Sequence, residues 1–429
     1  MPSETARHPR RSAGTSGTEL PLAAILYDLG SAGPAEILAA ARGVCRTVFL
    51  CDPARPHVAE ILPEIRKYAD VVEIDDDLGR TAHTLAELRP DGLTTFSEYA
   101  ILETAELAQR CGLPFHHPTT AARLTDKYLQ REALSAAGVQ VTRCLVVHGP
   151  EDAAEAVATV GLPAVLKPRQ GAGSRATYRV ETPEELRTAL AGIPEHTGPA
   201  EEFVVEELLV GDPAGAGGDW GDYVSVESLV QHGEVQHVCV TGKFPLAEPF
   251  REVGQFLPAT LPAELARRCT DLAGQAVTAL GVTVGVTHTE LKLTADGPRI
   301  IEVNGRIGGY VNDVLTRSSG TGLLRAALRA AVGLDARVEP PAFSRLAYRR
   351  YLVAPADATR VLTLDGTELV AAVPGVQFVE WRAAAGSALD WRGGTQSCLG
   401  VVYGTAADHQ DLLRTVAEID RALVATYAY

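Results

Sequence analysis

Strands and helices alternate along the N-terminal part of the chain. The pattern runs through six segments: LAAILYDLG (22–30), GPAEILAAARG (33–43), TVFLCD (47–52), ADVVEID (69–75), DGLTTFSE (91–98) and ILETAELAQRCG (101–112). Alternation of this kind, with Gly and Asp at the ends of the strands, is typical of a parallel α/β sheet. The unit resembles a Rossmann-like fold but lacks the G-x-G-x-x-G fingerprint, so a dinucleotide is not implied.

The composition narrows the class of protein. With 429 residues, 46% of them hydrophobic, the chain is long enough for roughly two to four packed units. No apolar run reaches the length of about 18 residues that a membrane helix needs. The net charge of −15 disfavours binding to nucleic acid and to anionic membranes. A phosphate-bearing ligand would therefore need a local group of donors.

The N-terminal segment and the cysteines bear on where the protein acts. Residues 1–20 are mostly Ser, Thr, Gly and Arg without an apolar core, which predicts a disordered leader rather than a signal peptide. The seven cysteines are scattered and form no C-x-x-C pair. Because such thiols fit a reducing compartment, we expect a cytoplasmic protein.

The pattern of the sequence changes twice after the first unit. From residue 119 to about residue 335, helices, strands and a glycine-rich loop follow in mixed order. The Pro-rich stretch RVEPPAF (337–343) then reads as a linker. We therefore predict three α/β units, over residues 21–118, 119–335 and 344–429.

A lysine precedes the glycine-rich loop of the central unit. The predicted strand PAVLKP (163–168) delivers Lys167, and RQGAGSRAT (169–177) follows it. Small residues let backbone N–H groups approach phosphate oxygens, and the ammonium group neutralises their charge. The loop is not a Walker A motif, because no G-K-[ST] follows. Taken alone, such a loop is more often only a hairpin turn.

The segment HTELKLTADGPRIIEVNGRIGGY (288–310) predicts an antiparallel hairpin. Asp296-Gly297-Pro298 marks its turn, and the flanks alternate apolar and polar residues at the period of a strand. A loop of about five residues would set Leu293 opposite Arg299.

Three polar side chains share one face of this predicted hairpin. In the same register Glu290 stands opposite Glu302, and Asn304 lies two residues beyond Glu302. Like charges directly across two strands repel each other. Two carboxylates and an amide oxygen are, however, ligands that Mg²⁺ takes. The alternative is that both glutamates face solvent on an edge hairpin.

The order of these motifs resembles the ATP-grasp superfamily. The motifs are Lys127 in a helix, Lys167 before the glycine-rich loop, the double glutamate of VVEELL (204–209), the E-x-K at Glu290 and EVNGR (302–306). HTELKL and EVNGRIGGY resemble the branch of L-amino acid ligases, which join amino acids into dipeptides. The resemblance implies a pre-ATP-grasp domain over 21–118 and an ATP-grasp fold, two α+β subdomains clamping ATP, over 119–335. It also implies a biotin carboxylase-like subdomain over 344–429.

The resemblance further implies roles for individual residues. ATP would be held by Lys127, Lys167, Gly171, Gly173, Ser174, Glu206, Glu207 and Leu209, with Asp222 as a guess for the ribose. One or two Mg²⁺ ions, with Mn²⁺ as a substitute, would be bound by Glu290, Glu302 and Asn304. Arg306 would stabilise the phosphate and the oxyanion. Substrate would be bordered by Tyr310, Gly308, Gly309, Lys243 and His288.

Some of these residues have alternative explanations. Lys243 is as consistent with a surface loop, and His288 fits a structural histidine better than a substrate contact. Ser97 and Glu98 end a strand of the first unit, where open α/β sheets bind ligands, although helix capping explains Ser97 more simply. Arg175-Ala176 stands where many relatives have Gly, which leaves the geometry of the loop open.

The implied activity is that of an ATP- and Mg²⁺-dependent carboxylate–amine ligase that works through an acyl phosphate. Its partners would be a small-molecule acid and amine, neither nucleic acid nor a membrane, and a homodimer is compatible with it. One alternative is a biotin carboxylase-like enzyme that activates bicarbonate, although no biotin-carrier MKM segment occurs, since the single Met is residue 1. The other is a catalytically silent nucleotide-binding protein.

Overall fold

The structure is a computed structural model, and it describes residues 19–197 and 201–429. The predicted leader over residues 1–20 lies outside the described residues, apart from its last two positions. Among the helices of the described ranges, none combines the length and the apolar character needed to cross a membrane.

The N-terminal unit is a parallel sheet with helices between its strands. Its elements are β1 (Leu22–Tyr27), α1 (Pro34–Ala41), β2 (Arg46–Cys51), α2 (Pro56–Tyr68), β3 (Asp70–Glu73), α3 (Leu78–Leu88), β4 (Gly92–Thr94) and α4 (Ile101–Cys111). The strand order is β3-β2-β1-β4, and every neighbouring pair is parallel. The parallel sheet expected from the alternation is confirmed.

The central unit begins with two helices that meet at Asp126. They are α5 (Pro118–Thr125) and α6 (Lys127–Ala136). The Asp126 carboxylate caps α6 by accepting a hydrogen bond from the N–H of Leu129 at 3.1 Å. This cap fixes the start of α6, and therefore the position of Lys127, its first residue.

A four-stranded antiparallel sheet follows. Its elements are β5 (Cys144–Val147), α7 (Ala153–Val160), β6 (Ala164–Pro168), β7 (Tyr178–Val180), α8 (Pro183–Thr197) and β8 (Phe203–Glu207). The strand order is β5-β8-β6-β7. Leu166 of β6 pairs with Tyr178 of β7, so residues 169–177 connect the strands of a hairpin, as the sequence predicts.

A larger sheet of eight antiparallel strands crosses the rest of the chain. Its strands are β9 (Tyr223–Gln231), β10 (Glu234–Lys243), β11 (Gly254–Leu257), β12 (Gly285–Thr294), β13 (Gly297–Asn304), β14 (Leu346–Leu352), β16 (Val376–Trp381) and β17 (Gly400–Ala406). Their order is β13-β12-β9-β10-β11-β14-β17-β16. The remaining elements are α9 (Ala263–Leu280), α10 (Val311–Ser319), α11 (Leu323–Ala331), β15 (Arg360–Asp365), α12 (Thr367–Ala372), α13 (His409–Ala422) and β18 (Val424–Ala428).

Strands from both sides of the Pro-rich stretch belong to this one sheet. Phe256 of β11 pairs with Tyr348 of β14, which continues the sheet from the central unit into the C-terminal segment. β15 and β18 form a separate two-stranded sheet beside it. The boundaries proposed at residues 335 and 344 stay a prediction from the sequence.

The tip of the β12–β13 hairpin is tighter than predicted. Thr294 pairs with Gly297, so the turn contains two residues, and Leu293 stands opposite Pro298 rather than Arg299. The predicted five-residue loop is therefore wrong. β13 is the edge strand of the sheet, where a proline without an N–H can occupy a strand position.

A bulge in the same hairpin restores the predicted pairing of the two glutamates. The register shifts between Glu290 and Leu291, and as a result Glu290 faces Glu302. A bulge adds one residue to one strand and moves the pairing beyond it by one position. The pairing at the acidic face thus agrees with the prediction, although the turn does not.

Candidate active site

One cleft contains most of the predicted site residues. It is lined by the loop after β6, by the segment after β8 and by the β12–β13 hairpin. The predicted residues in its lining are Lys127, Lys167, Gly171, Gly173, Ser174, Glu206, Glu207, Leu209, Glu290, Glu302, Asn304 and Arg306. Asp222, Lys243, His288, Gly308, Gly309 and Tyr310 are not part of that lining.

The two lysines that the sequence singles out reach the cleft from different elements. The Lys127 Nζ donates to the carbonyl of Gly171 at 3.0 Å and lies 4.0 Å from Oε1 of Glu302. The Lys167 Nζ lies 2.7 Å from Oε2 of Glu206. Both ammonium groups are therefore held in place, one by the loop and one by a carboxylate.

Glu206 is the central carboxylate of a buried ion cluster. Its Oε2 also lies 3.0 Å from Nη2 of Arg131, and both residues are buried. Burial alone would raise the pKa of Glu206, but the charges of Arg131 and Lys167 lower it to about 2. The sequence analysis did not identify Arg131. Its position four residues after Lys127 puts both on one face of α6, which is the signal that could have found it.

Glu207 and Asp222 make ion pairs that do not involve Glu206. The Glu207 Oε1 lies 2.9 Å from Nη2 of Arg299, and its Oε2 lies 3.0 Å from Nη2 of Arg143. The Asp222 carboxylate lies 2.6 Å from Nζ of Lys292, whose side chain lines the cleft. The roles predicted for Glu207 and Asp222 toward a nucleotide stay predictions.

The glycine-rich loop has an unusual backbone. Gly171, Gly173, Ser174 and Ala176 have φ values of +108°, +74°, +57° and +44°. Left-handed conformations are uncommon for residues other than Gly, and they cluster at ligand-binding loops. The geometry of the loop at Ala176, where many relatives have Gly, is thus defined. This alanine adopts the left-handed conformation itself and is buried.

The acidic face of the hairpin opens into the cleft. The side chains of Glu290 and Glu302 are 31% and 16% exposed, and Asn304 is buried. They line the cleft, so the alternative of two glutamates on a solvent-facing edge does not describe them. Burial would raise the pKa of Glu290, but the hydrogen bond from His288 and the charges of His288 and Lys243 lower it to about 2. Glu290 is therefore ionised at neutral pH.

These three side chains fit a hard divalent cation. The set contains only two carboxylates. The described residues include no cluster of three or more His, Cys, Asp or Glu side chains that could hold a metal ion. Glu290, Glu302 and the amide of Asn304 offer two carboxylates and one neutral oxygen. Mg²⁺ typically takes one or two carboxylates and completes its shell with water and phosphate oxygens. The chemistry of this donor set matches that habit.

His288 connects the acidic face to a buried carboxylate. Its Nδ1 lies 2.7 Å from Oε1 of Glu227, and its Nε2 lies 3.2 Å from Oε1 of Glu290. Burial lowers the pKa of His288, but the two carboxylates raise it to about 9, so the imidazolium donates to both. Glu227, which is fully buried, was missed by the sequence analysis. The available signal was a single glutamate inside the apolar strand YVSVESLV.

Arg306 lies between the hairpin and the N-terminal unit. Its Nε is 3.0 Å from Oε2 of Glu98, and its Nη2 donates to Oδ1 of Asn304 at 3.2 Å. Burial raises the pKa of Glu98, and the charge of Arg306 opposes that rise. The capping role expected for Ser97 is wrong, because its hydroxyl donates to the carbonyl of Leu29 at 2.5 Å.

Some of the residues predicted to border the substrate belong to a hydrogen-bond network that reaches the cleft. The Lys243 Nζ is buried, forms an ion pair with Glu252 and donates to Oε1 of Gln255 at 3.1 Å. It is therefore not a surface lysine. The amide of Gln255 donates in turn to the carbonyl of Gly309 at 2.8 Å. Glu252 itself lines the cleft, so this network reaches it.

Gly308 and Tyr310 make close contacts in the same region. A Cβ on Gly308 would lie 2.3 Å from Nδ1 of His288, so only glycine fits there. The hydroxyl of Tyr310 accepts a hydrogen bond from Nη2 of Arg382 at 3.1 Å, and its ring packs on the guanidinium of Arg349. Tyr310 has a φ of +63°, which is strained for an aromatic residue.

Comparisons with known proteins agree with this geometry. The family model of the ATP-grasp domain matches residues 160–313. The alanine–anticapsin ligase of Bacillus subtilis (strain 168) is 29% identical over 236 residues, which are 51% of this chain and 49% of that protein. Carnosine synthase 1 of Homo sapiens is 28% identical over 322 residues, which are 69% of this chain and 38% of that protein. The chain thus spans half or less of the length of these two relatives.

A solved structure extends the likeness over nearly the whole chain. The L-amino acid ligase of Bacillus licheniformis superposes with a TM-score of 0.74, covering 97% of this chain and 100% of that one. At 22% sequence identity this likeness concerns the fold. The α/β fold class expected from the motifs is confirmed. Residues 160–313 therefore match the ATP-grasp domain, and nearly the whole chain shares the fold of this ligase.

Proposed function

We propose that this protein joins a carboxylic acid to an amine at the expense of ATP, with amino acids or similar compounds as substrates. The observation that carries the proposal is the cleft itself. It brings together two ammonium groups, a glycine-rich loop, two carboxylates on paired strands and the guanidinium of Arg306. Each of these groups suits one part of a phosphorylated reactant.

The binding of ATP would depend on the two lysines and the loop. Lys127 and Lys167 supply positive charge toward the phosphates, and Glu206 keeps Lys167 in position. Left-handed residues such as those of the loop allow neighbouring backbone N–H groups to form a concave site for anions. Mg²⁺, held by Glu290, Glu302 and Asn304, would offset the negative charge of the phosphate oxygens.

The transfer step would use Arg306. A phosphoryl group passes to the carboxylate of the acid, and the amine then attacks the acyl carbon and displaces phosphate. Negative charge grows on the acyl oxygen during this attack. A guanidinium suits that position, because its planar fork binds two oxygens at once. Glu98 and Asn304 hold the guanidinium beside the acidic face.

The nature of the cleft also favours substrates that carry an ammonium group. Glu252 lines the cleft close to the hairpin and stays in contact with Lys243. A carboxylate of this kind could bind the ammonium group of an amino acid. The relatives support the same class, since alanine–anticapsin ligase carries an amino acid in its name.

The test is a substrate panel. The purified protein would be incubated with Mg²⁺, ATP and pairs of acids and amines, and both phosphate release and product mass would be measured. We expect ADP, phosphate and an amide product to appear together, and only when acid and amine are both present. ATP turnover that ignores the added substrates, or a product without amide mass, would contradict the proposal.

A further inference from the structure

We infer that the turn at Trp391–Gln396 in the C-terminal segment is a docking seat for the glycine-rich loop, and that it controls whether the loop covers the cleft. Trp391 and Gly394 are then positioning residues for the phosphate site, although neither lines the cleft. Only the kinetic consequence of this inference depends on the proposed function; the contact itself does not.

Two backbone hydrogen bonds join the turn to the loop. The N–H of Thr395 donates to the carbonyl of Gly173 at 3.0 Å, and the N–H of Ala176 donates to the carbonyl of Arg392 at 2.9 Å. The bonds run in opposite directions, as in a short stretch of antiparallel pairing. They hold the middle and the end of the loop against the turn.

An aromatic pair strengthens the same contact. The ring of Trp391 lies edge-on to the ring of Tyr178, with centroids 5.1 Å apart and planes at 80°. Tyr178 is the first residue of β7, directly after the loop. Edge-to-face pairs of this kind stabilise contacts beyond the area they bury.

The backbones approach so closely that side chains are excluded. A Cβ on Gly394 would lie 2.0 Å from the carbonyl oxygen of Gly173 and 2.9 Å from the N–H nitrogen of Arg175. Gly394 has a φ of +62° inside an otherwise helical turn, which breaks the helix and lets it accept the loop. The fit therefore depends on a glycine from each partner.

The opposite side of the loop faces the phosphate site. The carbonyl of Gly171 accepts the hydrogen bond from Lys127, while Gly173 and Ala176 are bonded to the turn. The loop thus lies between the ammonium group and the docking seat. Opening it would break the contacts with the turn, so the C-terminal segment sets the cost of opening the site.

Gly394→Ala tests the inference, because a methyl group cannot fit against Gly173. Gly386→Ala is the matched control: Gly386 has a φ of +92°, lies in the same C-terminal segment, and its Cβ would meet nothing within 4 Å. Amide hydrogen exchange of residues 169–178 would be measured in both full-length variants without nucleotide. We expect about tenfold or faster exchange at Ala176 in Gly394→Ala and no change in Gly386→Ala.

The second part of the test measures the reverse effect, that of a nucleotide on the turn. A ligand that closes the loop must protect the docking seat by the same coupling. A non-hydrolysable ATP analogue should therefore slow the exchange of residues 391–396 in the unaltered protein. In Gly394→Ala the same analogue should leave that segment unprotected, and the KM for ATP should rise about tenfold while kcat changes less.

Unchanged loop exchange in folded Gly394→Ala, or equal effects in the control, would overturn the inference. If Gly394→Ala does not fold, Tyr178→Ala, Trp391→Ala and the double variant decide the question by a cycle. Non-additive effects on loop exchange support the contact, and strictly additive effects reject it. Failure of the proposed function would show differently, as an absence of amide product in the unaltered protein.

Discussion

The guanidinium of Arg306 lies 3.0 Å from the carboxylate of Glu98, although the two residues are far apart in sequence and follow strands of different sheets. Glu98 follows the strand β4 of the N-terminal unit, and Arg306 follows β13 of the large sheet. The N-terminal unit thereby takes part in the geometry of the cleft. Its contribution is to fix the direction in which Arg306 points.

Glu98→Gln should lower kcat while leaving ATP affinity nearly unchanged. The amide keeps the size of the side chain but removes the charge that holds the Arg306 guanidinium. We expect kcat to fall about tenfold, in line with the loss of one buried ion pair. Steady-state kinetics and the dissociation constant of ATP measure the two effects.

Glu103→Gln is the control for this change, because it breaks an ion pair with Arg55 in the same unit. Its kcat should match that of the unaltered protein. A fall of similar size in both variants would show a general loss of stability instead of an effect on Arg306.

Arg306→Ala should bind Mg²⁺–ATP with near-native affinity while forming product far more slowly. The charge that Arg306 meets grows during the reaction, so its removal costs rate rather than binding. Loss of such a donor typically lowers kcat by roughly 10²–10³. Arg306→Lys should recover only part of this, because lysine offers a point charge. A near-native kcat for Arg306→Ala would leave this residue without a catalytic role.

Glu302→Gln should abolish Mg²⁺-dependent turnover with the fold intact. The substitution removes one of the two facing carboxylates that suit a divalent cation. Circular dichroism checks the fold, and a titration of Mg²⁺ against initial rate checks the metal. Glu234→Gln, at a side chain that is 85% exposed, serves as the control with native rates. Mg²⁺-independent ligation by Glu302→Gln would contradict the role of Glu302 as a metal ligand.

Acid should destabilise the protein through His116. This histidine is buried, its Nε2 lies 3.4 Å from the carbonyl of Gly305, and its Nδ1 has no hydrogen-bond partner among the described residues. Burial lowers its pKa from 6.5 to about 4. The unfolded chain therefore binds a proton between those two pH values and the folded chain does not, so stability is lost as the pH falls from 6.5 to 4.

The size of that loss follows from the shift, at about 3 kcal/mol over the whole interval. Urea unfolding at several pH values would compare the protein with His116→Gln, in which this part of the acid sensitivity should disappear. His83→Gln, at an exposed histidine, should keep it. Parallel curves for His116→Gln and the unaltered protein would rule His116 out as the cause.

Local patterns in the sequence were enough to predict several of the chain's elements and the order of its motifs. The strand–helix alternation and the hairpin around residues 169–177 depend on neighbours in the chain, and the structure contains both of them. The facing of Glu290 and Glu302 was also predicted, although for a turn of the wrong length. The prediction missed both the two-residue turn and the bulge, and the two resulting shifts of register cancel each other.

Contacts between distant parts of the chain could not be predicted in this way. Arg131 and Glu206 are 75 positions apart, and their pairing becomes visible only when α6 packs beside the antiparallel sheet. Glu227 depends on β9 lying next to β12, which places it opposite His288. Isolated charges inside apolar segments mark such residues, but the sequence alone does not identify their partners.

The large sheet has a consequence for how the protein is made. β11 leaves one edge unpaired until β14, which begins 89 positions later, at residue 346, is available to bond it. During synthesis from the N-terminus, the strands around the cleft therefore emerge before the strand that covers their open edge. An unpaired edge is a template for pairing with another chain. The open edge of β11 is thus exposed to aggregation in the nascent chain until β14 has left the ribosome and paired with it.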